Sequence, residues 1–139
     1  MRVIKMIDLA EAERVIDVII RTAATDGGKP VVVAVTDDRG DLVSFKRMDG
    51  APLRSIRIAI NKAYTAARTG QHTVELAEML LRASRDVQVY TDDRFTLFPG
   101  GVVLKAADAA VIGAVGVSGR LPDDDHKLSL LGSAAFTNT

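Results

Sequence analysis

Cysteine is absent from the chain, which excludes disulfides, thiolate metal sites and a cysteine nucleophile; it leaves the compartment open, because a folded domain of this size needs no disulfide. Histidine occurs only at His72 and His126, far apart and outside any His-x-x-x-His or Glu-x-x-His spacing, so no preassembled zinc site, and no metal site of any kind, is expected. An excess of either charge is missing too: eighteen basic and eighteen acidic side chains cancel, and only Asp123-Asp124-Asp125 concentrates one sign, which gives no reason to expect nucleic acid or a membrane surface as partner. No run reaches membrane-spanning length, and no apolar signal core precedes Asp8, so a cytoplasmic protein is expected. A Gly-x-Ser-x-Gly elbow, a phosphate loop and a dinucleotide fingerprint are all absent.

What is present fits one domain over residues 1–139, long enough to bury a real core. The chain is organised around Phe98 to Gly119. Pro99 fixes one backbone angle and Gly100 and Gly101 permit positive φ, so the chain turns sharply before the apolar run that begins at Val102. Val102 to Lys105 and Ala110 to Val117 read as two adjacent strands. Gly113 and Gly116 in the second leave room for a close approach, by a packed helix or by a flat ligand.

Upstream, Asp8 and Glu11 have capping-box spacing ahead of a helix from Leu9 to Thr25. Pro30 opens the β-branched run from Val31 to Val35; Asp37-Asp38-Arg39-Gly40 supplies a turn, and Asp41 to Arg47 completes a hairpin. A second helix is expected over Leu53 to Arg68, a third over Val74 to Ala83 capped by Thr73, and a last over Asp123 to Ala135, introduced by Pro122. Arg85 to Arg94 carries no clear pattern. Strands joined mainly by tight turns imply the α+β class, a largely antiparallel sheet with helices packed on it.

Two basic residues stand out. Arg47 and Lys62 each read as ordinary solvated side chains, but Lys62 is bordered by Ile58, Ala59, Ala63 and Ala66, which can set it at a pocket edge. The three aspartates at 123–125 read as a charge set at a helix N-terminus more readily than as a cation site.

Three stretches together resemble the GlcG/HbpS family of small haem-associated proteins, which includes the C-terminal domain of PduO-type adenosyltransferases. They are Pro30 to Pro52, Ala59-Ile-Asn-Lys-Ala-Tyr-Thr-Ala66, and Phe98-Pro-Gly-Gly101 with Ile112-Gly-Ala-Val-Gly-Val-Ser-Gly119. The resemblance implies an antiparallel sheet of about five strands with helices on its faces, in the manner of profilin or PAS-like sandwiches, and a homo-oligomer. It also implies a small-ligand-binding protein with haem or a related flat cofactor as the ligand: Phe98 stacking, Arg47 or Lys62 pairing a propionate, and His126 or His72 as axial ligand. The alternative is a cofactor-free enzyme of isomerase, hydratase or hydrolase type on a small carbonyl or carboxylate metabolite. There Lys62 or Asp49 would be the general base, Arg47 the carboxylate clamp, and the amides of Gly100 and Gly101 the oxyanion donors. Two histidines, two tyrosines and four phenylalanines are few for a deep haem pocket. Under either reading, one cleft bordered by Arg47, Lys62, Phe98, Gly100, Gly101 and Ser118 is expected to hold an anionic group.

Overall fold

Asp8 starts the first helix as its spacing predicts: Glu11 N–H donates to Asp8 Oδ1 at 2.7 Å and Asp8 N–H to Glu11 Oε1 at 3.1 Å. In the computed structural model, which describes Met1 and residues 5–137, this helix is α1 (Leu9–Thr25). It is followed by β1 (Val32–Asp37), β2 (Leu42–Arg47), α2 (Arg54–Thr69), α3 (Thr73–Arg82), a single 3₁₀ turn (Val87–Tyr90), β3 (Gly101–Lys105), β4 (Val111–Ser118) and α4 (Pro122–Thr137).

The described strands form one antiparallel sheet in the order β2-β1-β4-β3. The family resemblance implied about five strands; the described residues form four. Residues 85–98 are taken up by the 3₁₀ turn and by turns pinned to α2, where the Tyr64 hydroxyl donates to Asp92 at 2.5 Å and the Arg94 guanidinium lies 3.8 Å from the Tyr64 ring centre.

The sheet carries helices on both sides, which is why the β1 run lacks polar alternation: all six of its residues are buried. Val33, Val35, Val115 and Val117 face α1 and α4 in a core with Val15, Ile16, Ile19, Leu128 and Phe136. The alternate residues Val32, Ala34, Val103 and Ala114 meet Ala59, Ala63, Ala66 and Ala67 of α2. Small side chains on both sides of that second interface bring α2 close to the sheet. At Gly116 the approach is by backbone, since an added Cβ would lie 2.1 Å from the Ala59 carbonyl oxygen. The packed-helix reading therefore holds at Gly116, whereas Gly113 is crowded by the Thr36 carbonyl of β1 and by Ile7.

One local expectation changes. Thr73 does not cap α3; His72 precedes that helix and donates its N–H to Glu75 at 2.9 Å, while Thr73 Oγ1 is used across the fold on the turn before β3. Among the described residues, no helix is long and apolar enough to cross a membrane.

Candidate functional site

Lys62 projects from α2 past the start of β3 and ends on α4. Its Nζ donates to the Val117 carbonyl at 2.9 Å and to Asp125 Oδ2 at 3.1 Å. Both side chains are 3% exposed. The two glycines at 100 and 101 make this crossing possible: a Cβ on Gly101 would lie 2.3 Å from the Lys62 carbonyl oxygen, and one on Gly100 would lie 2.9 Å from Nζ. Gly100, at φ 126°, also needs the conformational freedom of glycine. Its carbonyl is fixed by Ser129 Oγ at 2.6 Å and by the Val117 N–H at 3.1 Å.

Burial lowers the pKa of the Lys62 ammonium, opposed by the Asp125 charge; the same burial raises the pKa of Asp125, opposed by Lys62 and by N–H donors from Arg120 and Gly119. The Arg120 N–H reaches Asp125 Oδ1 at 3.0 Å, so one carboxylate oxygen holds the loop before α4 and the other holds the lysine.

A cleft of about 170 Å³ opens over this pair, walled by Arg54, Ser55, Ile58, Phe98 and Ser118. Ser118 Oγ donates to Ser55 Oγ at 3.1 Å. Two hydroxyls joined by one such bond use one proton between them, and the other remains for an acceptor. The N-terminus of α2 lies at the same wall; Leu53 gives it no side-chain cap and its first turn holds no acid, so the positive end of the helix dipole is uncompensated there. Arg54, exposed, has no carboxylate partner among the described residues. A groove of about 660 Å³ continues from the cleft, sharing Arg54, Gly119 and Arg120 with it and adding Lys29, Leu121 and Asp124.

Arg120 is occupied. Its guanidinium pairs with Asp26 through Nη1–Oδ2 at 2.5 Å and Nη2–Oδ1 at 2.8 Å, and donates to the carbonyls of Lys29 at 2.8 Å and Ala23 at 3.1 Å. It ties the end of α1 to the loop between β4 and α4. Arg120 holds Asp26 well below the usual carboxylate range, from 3.8 to about 2, helped by the Gly28 N–H. A carboxylate whose pKa is lower folded than unfolded adds stability above its unfolded value and loses it as pH falls through its folded value. The expected result is that Asp26→Asn flattens the acid limb of a stability–pH curve between about pH 4 and pH 2, which urea titration at stepped pH measures.

Of the residues singled out from sequence, Lys62, Phe98 and Ser118 line the cleft and Gly100 abuts the Lys62 amine. The Gly101 N–H is taken by Thr73 Oγ1 at 3.1 Å, so it is no oxyanion donor. Arg47 and Asp49 are exposed and do not line the cleft. Arg47 is aligned with Val32, which is aligned with Ser118, so the whole of β1 stands between them, two strand spacings or about 10 Å. His126 does not line it either. His126 meets His72 edge-on with ring centres 6.2 Å apart, its Nδ1 is buried without a partner, and His72 Nδ1 accepts the Val103 N–H at 3.2 Å. Burial lowers the pKa of both imidazoles. Among the described residues, no group of three or more His, Asp or Glu side chains is placed to hold a metal ion.

Asp125, Arg54, Ser55 and Arg120 were not anticipated as site residues. Asp125 had a signal, as an acid in the first turn after Pro122, but nothing local tied it to Lys62.

Comparison with known proteins gives consistent relatives. The family model described as haem degrading protein HbpS-like matches residues 7–133. An uncharacterized 15.0 kDa protein from the dhaT-dhaS intergenic region of Citrobacter freundii is 34% identical over 128 residues, covering 91% of this chain and 89% of the relative. The crystal structure of Klebsiella pneumoniae protein ORFY superposes with a TM-score of 0.88 at 29% identity, covering 98% of this chain and 94% of that one. A double mutant of Streptomyces reticuli HbpS superposes at 0.85 with 28% identity, covering 96% and 89%.

Proposed function

This chain belongs to the HbpS-like family of haem-degrading proteins, and on that premise we propose that it is a small-ligand-binding protein that takes haem, or a related flat carboxylate-bearing cofactor, in the groove where β4 runs into α4. The observation that carries this reading is Arg54, a guanidinium with no carboxylate partner among the described residues, at an uncapped helix N-terminus and between exposed apolar side chains. Phe98 is 60% exposed in the cleft and Leu121 is 73% exposed in the groove joined to it. Such a cofactor has apolar faces and anionic carboxylates: the faces suit Phe98, Ile58 and Leu121, and the carboxylates suit Arg54 and Lys29 through charge-assisted hydrogen bonds.

The cleft over Lys62, at about 170 Å³, is below the roughly 300–1,000 Å³ of ordinary ligand pockets, while the groove joined to it, at about 660 Å³, falls within that range. Among the described residues no His, Met or Tyr lines either part, so the fit is to the carboxylates and faces and offers iron no imidazole. When bound, haem supplies a redox-active iron; the chain's own part here is to orient it by its carboxylates and to cover one face.

A haemin titration followed by the Soret band tests this. Arg54→Ala is expected to weaken binding about tenfold or more, the cost of one charge-assisted contact of roughly 1.5–3 kcal/mol, and His126→Ala to leave the band unchanged. Loss of the band in His126→Ala with Arg54→Ala unaffected would move the ligand to the histidine pair and overturn the groove.

A further inference from the structure

We propose that Lys62 is a reactive amine that captures a small aldehyde as an iminium at the floor of the cleft. The haem reading rests on Arg54 and Lys29 and shares Phe98 and Ile58 with this cleft; the present inference concerns the amine at the cleft floor.

Geometry singles out the amine. An ammonium has three donors, and Lys62 Nζ spends two, on Val117 O and Asp125 Oδ2, while forming part of the cleft lining. A lysine kept only for an internal ion pair has no need of an opening to solvent, yet here a cleft of about 170 Å³ ends on it. That volume admits only a compound of a few heavy atoms, being below ordinary pocket sizes of about 300 Å³ and more. The spare proton of the Ser55–Ser118 hydroxyl pair is a donor for a carbonyl oxygen in the same space. An anion is the poorer guest at this spot, because Lys62 and Asp125 neutralise each other at 3.1 Å. A neutral carbonyl pays no such penalty.

Asp125 completes the chemistry. The ammonium passes one proton to the Asp125 carboxylate, a transfer that burial favours on both partners. The free amine adds to the aldehyde carbon, forming the C–N bond as the C=O π pair moves to oxygen, and one amine proton is relayed to that oxygen to give a neutral carbinolamine. Asp125 returns its proton to the hydroxyl, the C–O bond breaks, and water leaves. The product is an iminium cation opposite the regenerated carboxylate, the same charge pattern as the starting pair. No oxidant or reductant is consumed.

The test uses the wild-type protein with limiting propionaldehyde at pH 7.5, borohydride reduction and peptide mapping by mass spectrometry. The five other lysines, Lys5, Lys29, Lys46, Lys105 and Lys127, are exposed. An ordinary lysine with a pKa near 10.4 is only about a thousandth neutral at that pH, so Lys62 is expected to be alkylated at least about tenfold faster than any of them. Lys62→Arg, which keeps a cation for Asp125, is expected to lose the fast adduct while retaining its circular dichroism. Label confined to the exposed lysines in the wild type, or a fast adduct surviving in Lys62→Arg, would overturn the proposal. Neither result bears on haemin binding, so the two readings fail separately.

Discussion

Lys62→Met is expected to lower the unfolding free energy by about 3–5 kcal/mol, the cost of removing one partner from a buried ion pair. Methionine fills much of the lysine's volume, so the loss is electrostatic: Asp125, with its side chain 3% exposed, keeps its N–H donors but loses its cation. The effect should depend on pH. Burial already raises the pKa of Asp125, and deleting the ammonium removes the largest opposing influence. A carboxylate whose pKa is higher folded than unfolded binds more protons in the native state, so stability falls as pH rises between the two values, by at most about 1.4 kcal/mol per pH unit. The variant is therefore expected to lose more stability at pH 8 than at pH 5. Adding Asp125→Asn removes the titrating group, and the double variant is expected to be more stable than Lys62→Met alone at pH 8, without that variant's loss of stability from pH 5 to pH 8. Urea midpoints at unchanged m-value measure all three. A Lys62→Met protein as stable as wild type at pH 8 would show that the pair contributes nothing.

That ion pair also marks the limit of what could be read from the chain. Local signals were reliable where the physics is local. Asp8 and Glu11 announced α1, and Asp37 closed the β1–β2 turn by accepting the N–H groups of Arg39 at 2.9 Å and Asp41 at 3.0 Å. The β-branched run at 31–35 announced a strand buried on both faces, and β1 is buried throughout. Phe98-Pro-Gly-Gly101 stood out as a turn, but its purpose was hidden, because the glycines serve a lysine about forty residues upstream and an aspartate that follows the next strand. Asp125 looked like one of three interchangeable acids at a helix start, yet it alone of the three is buried. Arg47 illustrates the converse error. It sits at a strand end, as expected, but β4 inserts between β1 and β3, and that order puts the Arg47 end of β2 across β1 from Ser118. Strand order is a long-range property that neither turn chemistry nor hydrophobic period encodes. Arg54 was missed for a simpler reason: a charged residue in the first turn of a helix is unremarkable until the walls beside it are known.

The interface that sets Lys62 in place yields the second large effect. Gly116→Ala is expected to cost about 3 kcal/mol or more, at the top of the range for overpacking, because the new methyl has nowhere to go. Its Cβ would lie 2.1 Å from the Ala59 carbonyl oxygen and 2.7 Å from the Ala63 nitrogen, both backbone atoms of α2. No rotamer can relieve such a clash; α2 must lift from β4. Lifting α2 also withdraws Lys62, one residue before Ala63, from the Val117 carbonyl and from Asp125, so packing and ion pair fail together. Gly132→Ala is the matched control. There the added Cβ would meet side chains only, Ile19 Cδ1 at 2.6 Å, Ile19 Cγ1 at 2.9 Å and Val15 Cγ1 at 3.1 Å, so no backbone need move, and the higher helix propensity of alanine, about 1 kcal/mol, offsets part of the crowding. Ile19 and Val15 are fully buried, so a net loss is expected here too, but a smaller one than at Gly116, of about 1–2 kcal/mol. Urea unfolding of the two variants, with borohydride-trapped labelling of Lys62 as a local readout, separates the mechanisms: Gly116→Ala should lose both stability and selective labelling, and Gly132→Ala should lose less stability and keep the labelling. Equal stability losses in the two would mean that α2 tolerates displacement from β4, and that the close backbone contact at Gly116 is not what holds the lysine over its partner.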